Sequence, residues 1–311
     1  MNEVAKQPIY IPKSIGQVLG RTKRLLRANV KLLVGISVLP PALIFSALGF
    51  FLPQIDAMLK PSASVWEAHS ASYLISIALA VNLVFAAALA PALAAASNAA
   101  ISADCGNRIS FWDAYSHAFA RFGRYFLLLI MIGLISTVPF VTIQLAIPEL
   151  TALIARISRL PGMAHIGEPI LAAVASLACC LFVMLRLSLA FPSCVAEDLS
   201  AIAAIKRSNR LANGAMGKIF IVLLVVGAVT YAAFVIGLFA MFLLFAVFVL
   251  TGSLFHFHLV PASGIPMLYG RAMFIVMAFG EALVTAGNST ALAVIYNDQS
   301  LRKGEIEIAG E

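Results

Sequence analysis

Polar side chains are scarce in this sequence, and the few that interrupt its apolar stretches are the first candidates for chemistry. Glu281, Thr285 and Asn288 follow one another at i, i+4 and i+7, a spacing that sets all three on one helix face. Glu281 is the deepest charge, and Arg186 and Asn82 are the other polar residues of this kind. A charge near the centre of a bilayer costs at least ~2.5–3.5 kcal/mol on insertion scales. Such residues therefore do one of two things. They line a polar crevice for a headgroup, ion or small solute, or they hold helices together. In the second case Arg186 reaches to an interface and Glu281 is neutral or bonded to a neighbour.

Histidine offers a second chemistry. His69 follows Glu67, His165 precedes Glu168, and His256 and His258 stand two residues apart. Three or four such ligands suffice for Zn²⁺ if their loops converge. A pair at i, i+2 faces one way only in an extended segment, however, and no spacing here matches a metal motif. These read as solvated loop histidines, and no metal or other cofactor is expected. Cys105, Cys179, Cys180 and Cys194 show no disulfide framework; Cys179 and Cys180 are adjacent inside an apolar run, and the cysteines read as small, soft packing residues. The chain has no His-Glu-x-x-His, Gly-x-Ser-x-Gly or Gly-x-x-x-x-Gly-Lys-Ser/Thr, so peptidase, hydrolase and ATPase readings lack support.

What must position these residues follows from composition. Of 311 residues 62% are hydrophobic and 11% charged, with a mean hydropathy of +0.99, whereas a soluble domain is about a quarter charged. So few charges cannot cover a soluble surface, which excludes a cytosolic globular enzyme. Six apolar stretches reach the ~20 residues needed to cross a hydrocarbon core. They lie at about 29–52, 72–101, 125–147, 169–192, 218–252 and 270–296. None alternates like a barrel strand, so all six are expected as helices whose backbones satisfy themselves in lipid. The polar, basic first 28 residues and the length of the first stretch predict a retained signal-anchor rather than a cleaved leader.

Charge sets the expected orientation. Sixteen of the 21 Lys and Arg fall on the side of the two termini and the second and fourth loops. Four (Lys60, Arg156, Arg159 and Arg271) fall on the other. By the positive-inside rule both termini face the cytoplasm. The formal charge of +7 is then concentrated at that face, where anionic lipid headgroups attract each base by ~1 kcal/mol. Membrane-surface charge accounts for the basicity, and no nucleic acid partner is expected.

The chain also reads as one unit built three times, over about 14–106, 107–198 and 199–304. Each unit is a cytoplasmic-side amphipathic helix followed by a hairpin of two spans. Ser14, Ser110 and Ser200 are the expected N-caps, 96 and 90 residues apart, with Asp113 as capping-box partner of Ser110. Arg21, Lys23, Arg24, Arg27, Arg121, Arg124, Lys206, Arg207 and Arg210 sit in these segments and are the candidate lipid-surface contacts. Gly35, Gly133 and Gly227 recur at similar depth, and each returning span ends near an acid: Asp104, Glu197–Asp198 and Asp298. The run from Ala86 to Ala103, with Ser97 and Asn98, has the small residues that let helices approach closely.

Three short passages carry a resemblance. The chain reads Ile15-Gly16-Gln-Val-Leu19 at its start, Arg186-Leu-Ser-Leu-Ala-Phe-Pro192 with Val195-Ala-Glu197-Asp198-Leu-Ser200 in its middle, and Tyr296-Asn-Asp298 with Arg302-Lys-Gly304-Glu305 at its end. It resembles the glycerophosphoryl diester phosphodiesterase membrane-domain family and related bacterial six-span membrane proteins. The resemblance implies a multi-pass protein of the bacterial cytoplasmic membrane. It implies no activity, because the catalytic barrel that follows such a domain in some relatives has no counterpart in these 311 residues. The sequence thus predicts an all-α, single-domain integral membrane protein. Its expected role is non-enzymatic, binding lipids or partner membrane proteins. The alternative is a transporter or channel that uses Glu281, Thr285, Asn288, Arg186 and Asn82.

Overall fold

The computed structural model describes residues 13–40, 42–44, 83, 86–158, 161–254 and 265–303, and every regular element among them is a helix. In chain order these are α1 (Ile15–Ala28), α2 (Val30–Ile44), α3 (Ala86–Asp104), α4 (Phe111–Ala120) and α5 (Phe122–Ser158). There follow α6 (Pro161–Leu187), α7 (Ala190–Ala196), α8 (Ala201–Ala212), α9 (Met216–Leu254) and α10 (Ile265–Arg302). Five helical segments are long and apolar enough to cross a membrane, and the bent pair α1–α2 makes a sixth if counted as one.

Local sequence accounts for the boundaries. Ser14 caps α1 and its hydroxyl accepts from the Gln17 backbone N–H at 3.3 Å, while the Ser14 N–H donates to Gln17 Oε1 at 2.8 Å. Ser110 and Asp113 make the same reciprocal pair at α4. Ser200 caps α8 alone, because Ala203 stands where the reciprocal side chain would be. Asn29 ends α1 with its side chain donating to the Leu25 carbonyl, and α2 leaves at 81° to α1. Gly214, at φ +80°, makes the turn from α8 into α9, a conformation that a Cβ would disfavour. Pro192 explains the break between α6 and α7. It lacks the N–H that would bond the Ser188 carbonyl, and its ring crowds that carbonyl, so the fourth apolar stretch bends at Ser188–Leu189.

The helices outrun the apolar stretches. α5 continues to Ser158 and α6 begins at Pro161, so residues expected in a loop, His165 among them, belong to helix. Hydropathy marks where a chain can leave lipid, whereas a helix can continue beyond that point while its backbone bonds are satisfied, and α6 starts with a proline, which suits a first helical position.

Packing sorts the helices by polarity. Within the apolar segments, about half of Ala86–Asp104 and 61% of Val276–Arg302 are covered by protein, against 6% of Phe122–Ile143. α3 and α10 are also the least apolar of the five. A helix facing lipid must be apolar, whereas one enclosed by other helices tolerates Ser97, Ser289, Thr290, Asp298 and Gln299, all of them buried. One core joins α2 (Leu33, Ile36), the alanines of α3 (Ala90 to Ala100), α4 (Ala114, Tyr115) and α5 (Tyr125, Leu128). A second joins Val18 of α1, Leu211 of α8, Ile219 and Val222 of α9, and Val294, Ile295 and Tyr296 of α10. The Tyr115 hydroxyl locks α4 to α2 by donating to the Ile36 carbonyl at 2.6 Å. Its burial pushes the phenol up to about 12, so it stays protonated as a donor.

α9 and α10 meet along a glycine seam. A Cβ at Gly280 would lie 2.2 Å from the Phe234 ring, and one at Gly287 would lie 2.8 Å from Thr230 Cγ2 and 3.1 Å from Val226 Cγ1. Glycine is required there by close approach, not by backbone conformation.

Candidate functional site

Among the described residues the paired polar groups gather at the end that carries α1, α4, α7 and α8. Three consecutive residues of α10 form their centre. Tyr296 donates its hydroxyl to Glu197 Oε1 at 2.6 Å, Asn297 donates to Asp104 Oδ2 at 2.6 Å, and Asp298 is fully buried. Each carboxylate then takes a base from another helix. Arg21 of α1 bonds the Asp104 side chain and donates Nη2–H to its carbonyl at 2.9 Å. Arg207 of α8 meets Glu197 at 2.8 Å. Lys218 of α9 pairs with Asp298 and also donates to the Lys13 carbonyl at 2.7 Å. The Lys13 N–H donates to Asp298 at 3.1 Å, and Gln299 Nε2 to the same carboxylate at 3.3 Å. Burial, and then the Arg21 guanidinium, lower the pKa of the Lys13 ammonium.

A fourth pair is wetter. Asp198, at φ +52°, receives Arg124 at 2.6 Å and Arg121 at 3.0 Å, all three at least a third exposed. Pairs this exposed contribute ~0–1 kcal/mol, and Asp is among the residues that tolerate the left-handed conformation. Arg121 Nη1 also lies 2.7 Å from His117 Nε2. Burial, then the Arg121 charge, lowers the His117 pKa, with Asp198 opposing. A neutral imidazole whose Nε2 accepts from Arg121 fits that geometry.

Asp104, Glu197 and Asp298 at this end are therefore turned inward, while Asp113, Asp198 and many bases are not. Lys23, Arg24, Arg27, Lys31, Arg108, Lys206, Arg210 and Arg302 are exposed, and Trp112 and Phe119 stand out from α4 at 76% and 60% exposure. Of the nine bases expected at a lipid surface, Lys23, Arg24, Arg27, Lys206 and Arg210 lie on the outside. Arg21, Arg121 and Arg124 are drawn into carboxylate pairs, and Arg207 is 7% exposed and committed to Glu197. Spacing alone could not separate the two groups, since Lys206 and Arg207 are neighbours in sequence.

The intramembrane candidates do not converge. Arg186, at the end of α6, donates Nη1–H to Asn209 Oδ1 of α8 at 2.6 Å and lies over the Phe182 ring at 5.0 Å. Its carbonyl accepts from Ser208 Oγ at 2.7 Å. Arg186 and Glu281 therefore do not pair. Glu281 is exposed on α10, Thr285 is half-buried, and Asn288 is half-buried with a covered Oδ1 that has no hydrogen-bond partner. Glu281 lies seventeen residues before Asp298 on a continuous helix, about 25 Å along the axis. Its Cα–Cβ bond leans toward the helix N-terminus, away from the Asp298 end. Asn82, His69, His256 and His258 lie outside the described residues, and of His165 only its place in α6 is described. Among the described residues no three His, Cys, Asp or Glu are grouped to hold a metal ion. Comparison of the chain with protein-family models, curated proteins and solved structures returns no match.

Proposed function

We propose that this chain is a multi-pass, non-enzymatic membrane protein that binds anionic lipid through its basic end, and that this end faces the cytoplasm of a bacterial cell. One observation carries the reading. At a single end of the molecule Asp104, Glu197 and Asp298 are covered and paired with bases, while eight bases and Trp112 are exposed beside them. Such a surface attracts anionic headgroups, and an exposed tryptophan suits the headgroup level. The 81° bend at Asn29 supports the same reading, because a helix perpendicular to a span lies along the membrane surface. Lys23, Arg24 and Arg27 would then meet headgroups while Val18 and Thr22 face protein.

The threefold repeat belongs to this proposal. In each unit a base from the leading helix or the span start holds the acid that closes the returning span: Arg21 with Asp104, Arg124 with Asp198, Lys218 with Asp298. The first clasp fixes a surface helix against its own hairpin, whereas Arg124 on α5 and Lys218 on α9 tie the start of one span to the end of the returning one. This likeness, with the three serine caps, also supports the resemblance to bacterial six-span membrane domains.

The test is a Lys23→Gln, Arg24→Gln, Arg27→Gln, Lys31→Gln variant in nanodiscs of mixed phosphatidylglycerol and phosphatidylcholine. Wild type is expected to enrich phosphatidylglycerol in its lipid shell over the bulk ratio. At ~1 kcal/mol per base near the surface, the variant should lose most of that enrichment. Equal enrichment before and after would remove α1 from the lipid-binding surface.

A further inference from the structure

Resting on the lipid-binding reading, we infer a specific phosphate site at Arg186, where α6 meets α8, which takes the headgroup of one phospholipid. Among the described residues, the other arginines that are not fully exposed, Arg21, Arg121 and Arg207, each meet a carboxylate. Among the same residues Arg186 meets the neutral Asn209 side chain and the Phe182 ring but no carboxylate, and its Nε is covered without an acceptor. A glutamate in such a place can take up a proton and become neutral. Arginine cannot, because its guanidinium keeps its charge at any physiological pH. Among the described residues no acid supplies the counter-charge, and a bound anion would.

The surroundings select a phosphate. Asn209 spends its Oδ1 on Arg186 and keeps its amide hydrogens as donors. Lys206 stands three residues before Asn209 on the same exposed stripe of α8, within one helical turn. Guanidinium, amide and ammonium together suit a tetrahedral oxyanion. The surface that leads up to them is apolar and uncovered. Leu177 is 71%, Leu181 41%, Phe182 51% and Met184 57% exposed along α6. A free phosphate uses none of that surface, whereas a phospholipid lays its acyl chains on it with the phosphate at Arg186. Phe182, below the guanidinium, would touch both parts of the lipid.

The experiment titrates the detergent-solubilised protein with phosphatidylglycerol, followed by native mass spectrometry, with diacylglycerol and inorganic phosphate as competitors. Wild type should hold about one phosphatidylglycerol tightly, and Arg186→Ala should weaken it by about tenfold or more. Asn209→Asp gives Arg186 an internal carboxylate, which should maintain the fold and weaken the lipid to a similar degree. Unchanged affinity in both variants overturns the site. Displacement by diacylglycerol would mean that apolar contact alone holds the lipid, and displacement by inorganic phosphate would assign the site to a free anion. Either result overturns the assignment. The broader reading stands apart from this one, because it rests on the α1 bases and is read from shell enrichment, not from a single retained molecule.

Discussion

Asp298→Leu should be the most damaging single substitution, lowering the stability of the solubilised protein by ~3–5 kcal/mol. The carboxylate is fully enclosed, and the Lys218 side chain is 15% exposed, so removing the acid leaves a largely covered ammonium bonded to the Lys13 carbonyl but without its counter-ion. It also leaves the Lys13 N–H and Gln299 Nε2 without their acceptor. Adding Lys218→Met should recover a large part of the loss, since it removes the stranded charge and keeps the volume. Thermal unfolding of wild type, both single variants and the double variant measures the coupling. If the double variant is as unstable as the sum of the singles, the pair is not the fastening described here.

The glycine seam predicts the second large effect. Gly280→Ala and Gly287→Ala should each cost ~1–3 kcal/mol, the price of overfilling a packed contact. They lie seven residues apart, about 10 Å along α10, so their effects should add to ~2–6 kcal/mol. The contact is specific enough for a rescue test. Thr230→Ala removes the methyl group that a Gly287 Cβ would strike at 2.8 Å, so it should relieve Gly287→Ala and leave Gly280→Ala unaffected. Relief of both, or of neither, would contradict the close approach of α9 and α10. Substituting Gly227, which has no neighbour within 4 Å of a built Cβ, serves as the control.

Much of the architecture was readable from the residues. Helix content follows from long apolar stretches without alternation, and the caps at Ser14, Ser110 and Ser200 follow from a hydroxyl placed ahead of each leading segment. Asp104, Glu197, Asp198 and Asp298 stood out as acids at the ends of returning spans, and all four prove to be ion-pair partners. Which base each acid takes was not readable. Arg21 and Asp104 are 83 residues apart and Lys218 and Asp298 are 80 apart, and no local periodicity encodes such a pairing. The same gap explains why Arg186 finds Asn209 instead of Glu281. Counting depth along each span gives height in the bilayer but not rotation about the helix axis, and rotation decides which neighbour a side chain meets. It also decides that Glu281 faces outward while Ala282 and Ala286, on the other side of α10, are buried.

Under the proposed function, anionic lipid lies against the end that carries α1, α4 and α8. The most direct measurement is lipid analysis of the wild-type protein extracted from its own membrane into nanodiscs without detergent. The lipids held in its shell are compared with those of the parent membrane. Anionic phospholipid enriched over the parent composition, and lost as salt rises, is the predicted result. A shell identical to the parent membrane at every salt concentration would contradict the central claim and leave the basic end without its proposed ligand.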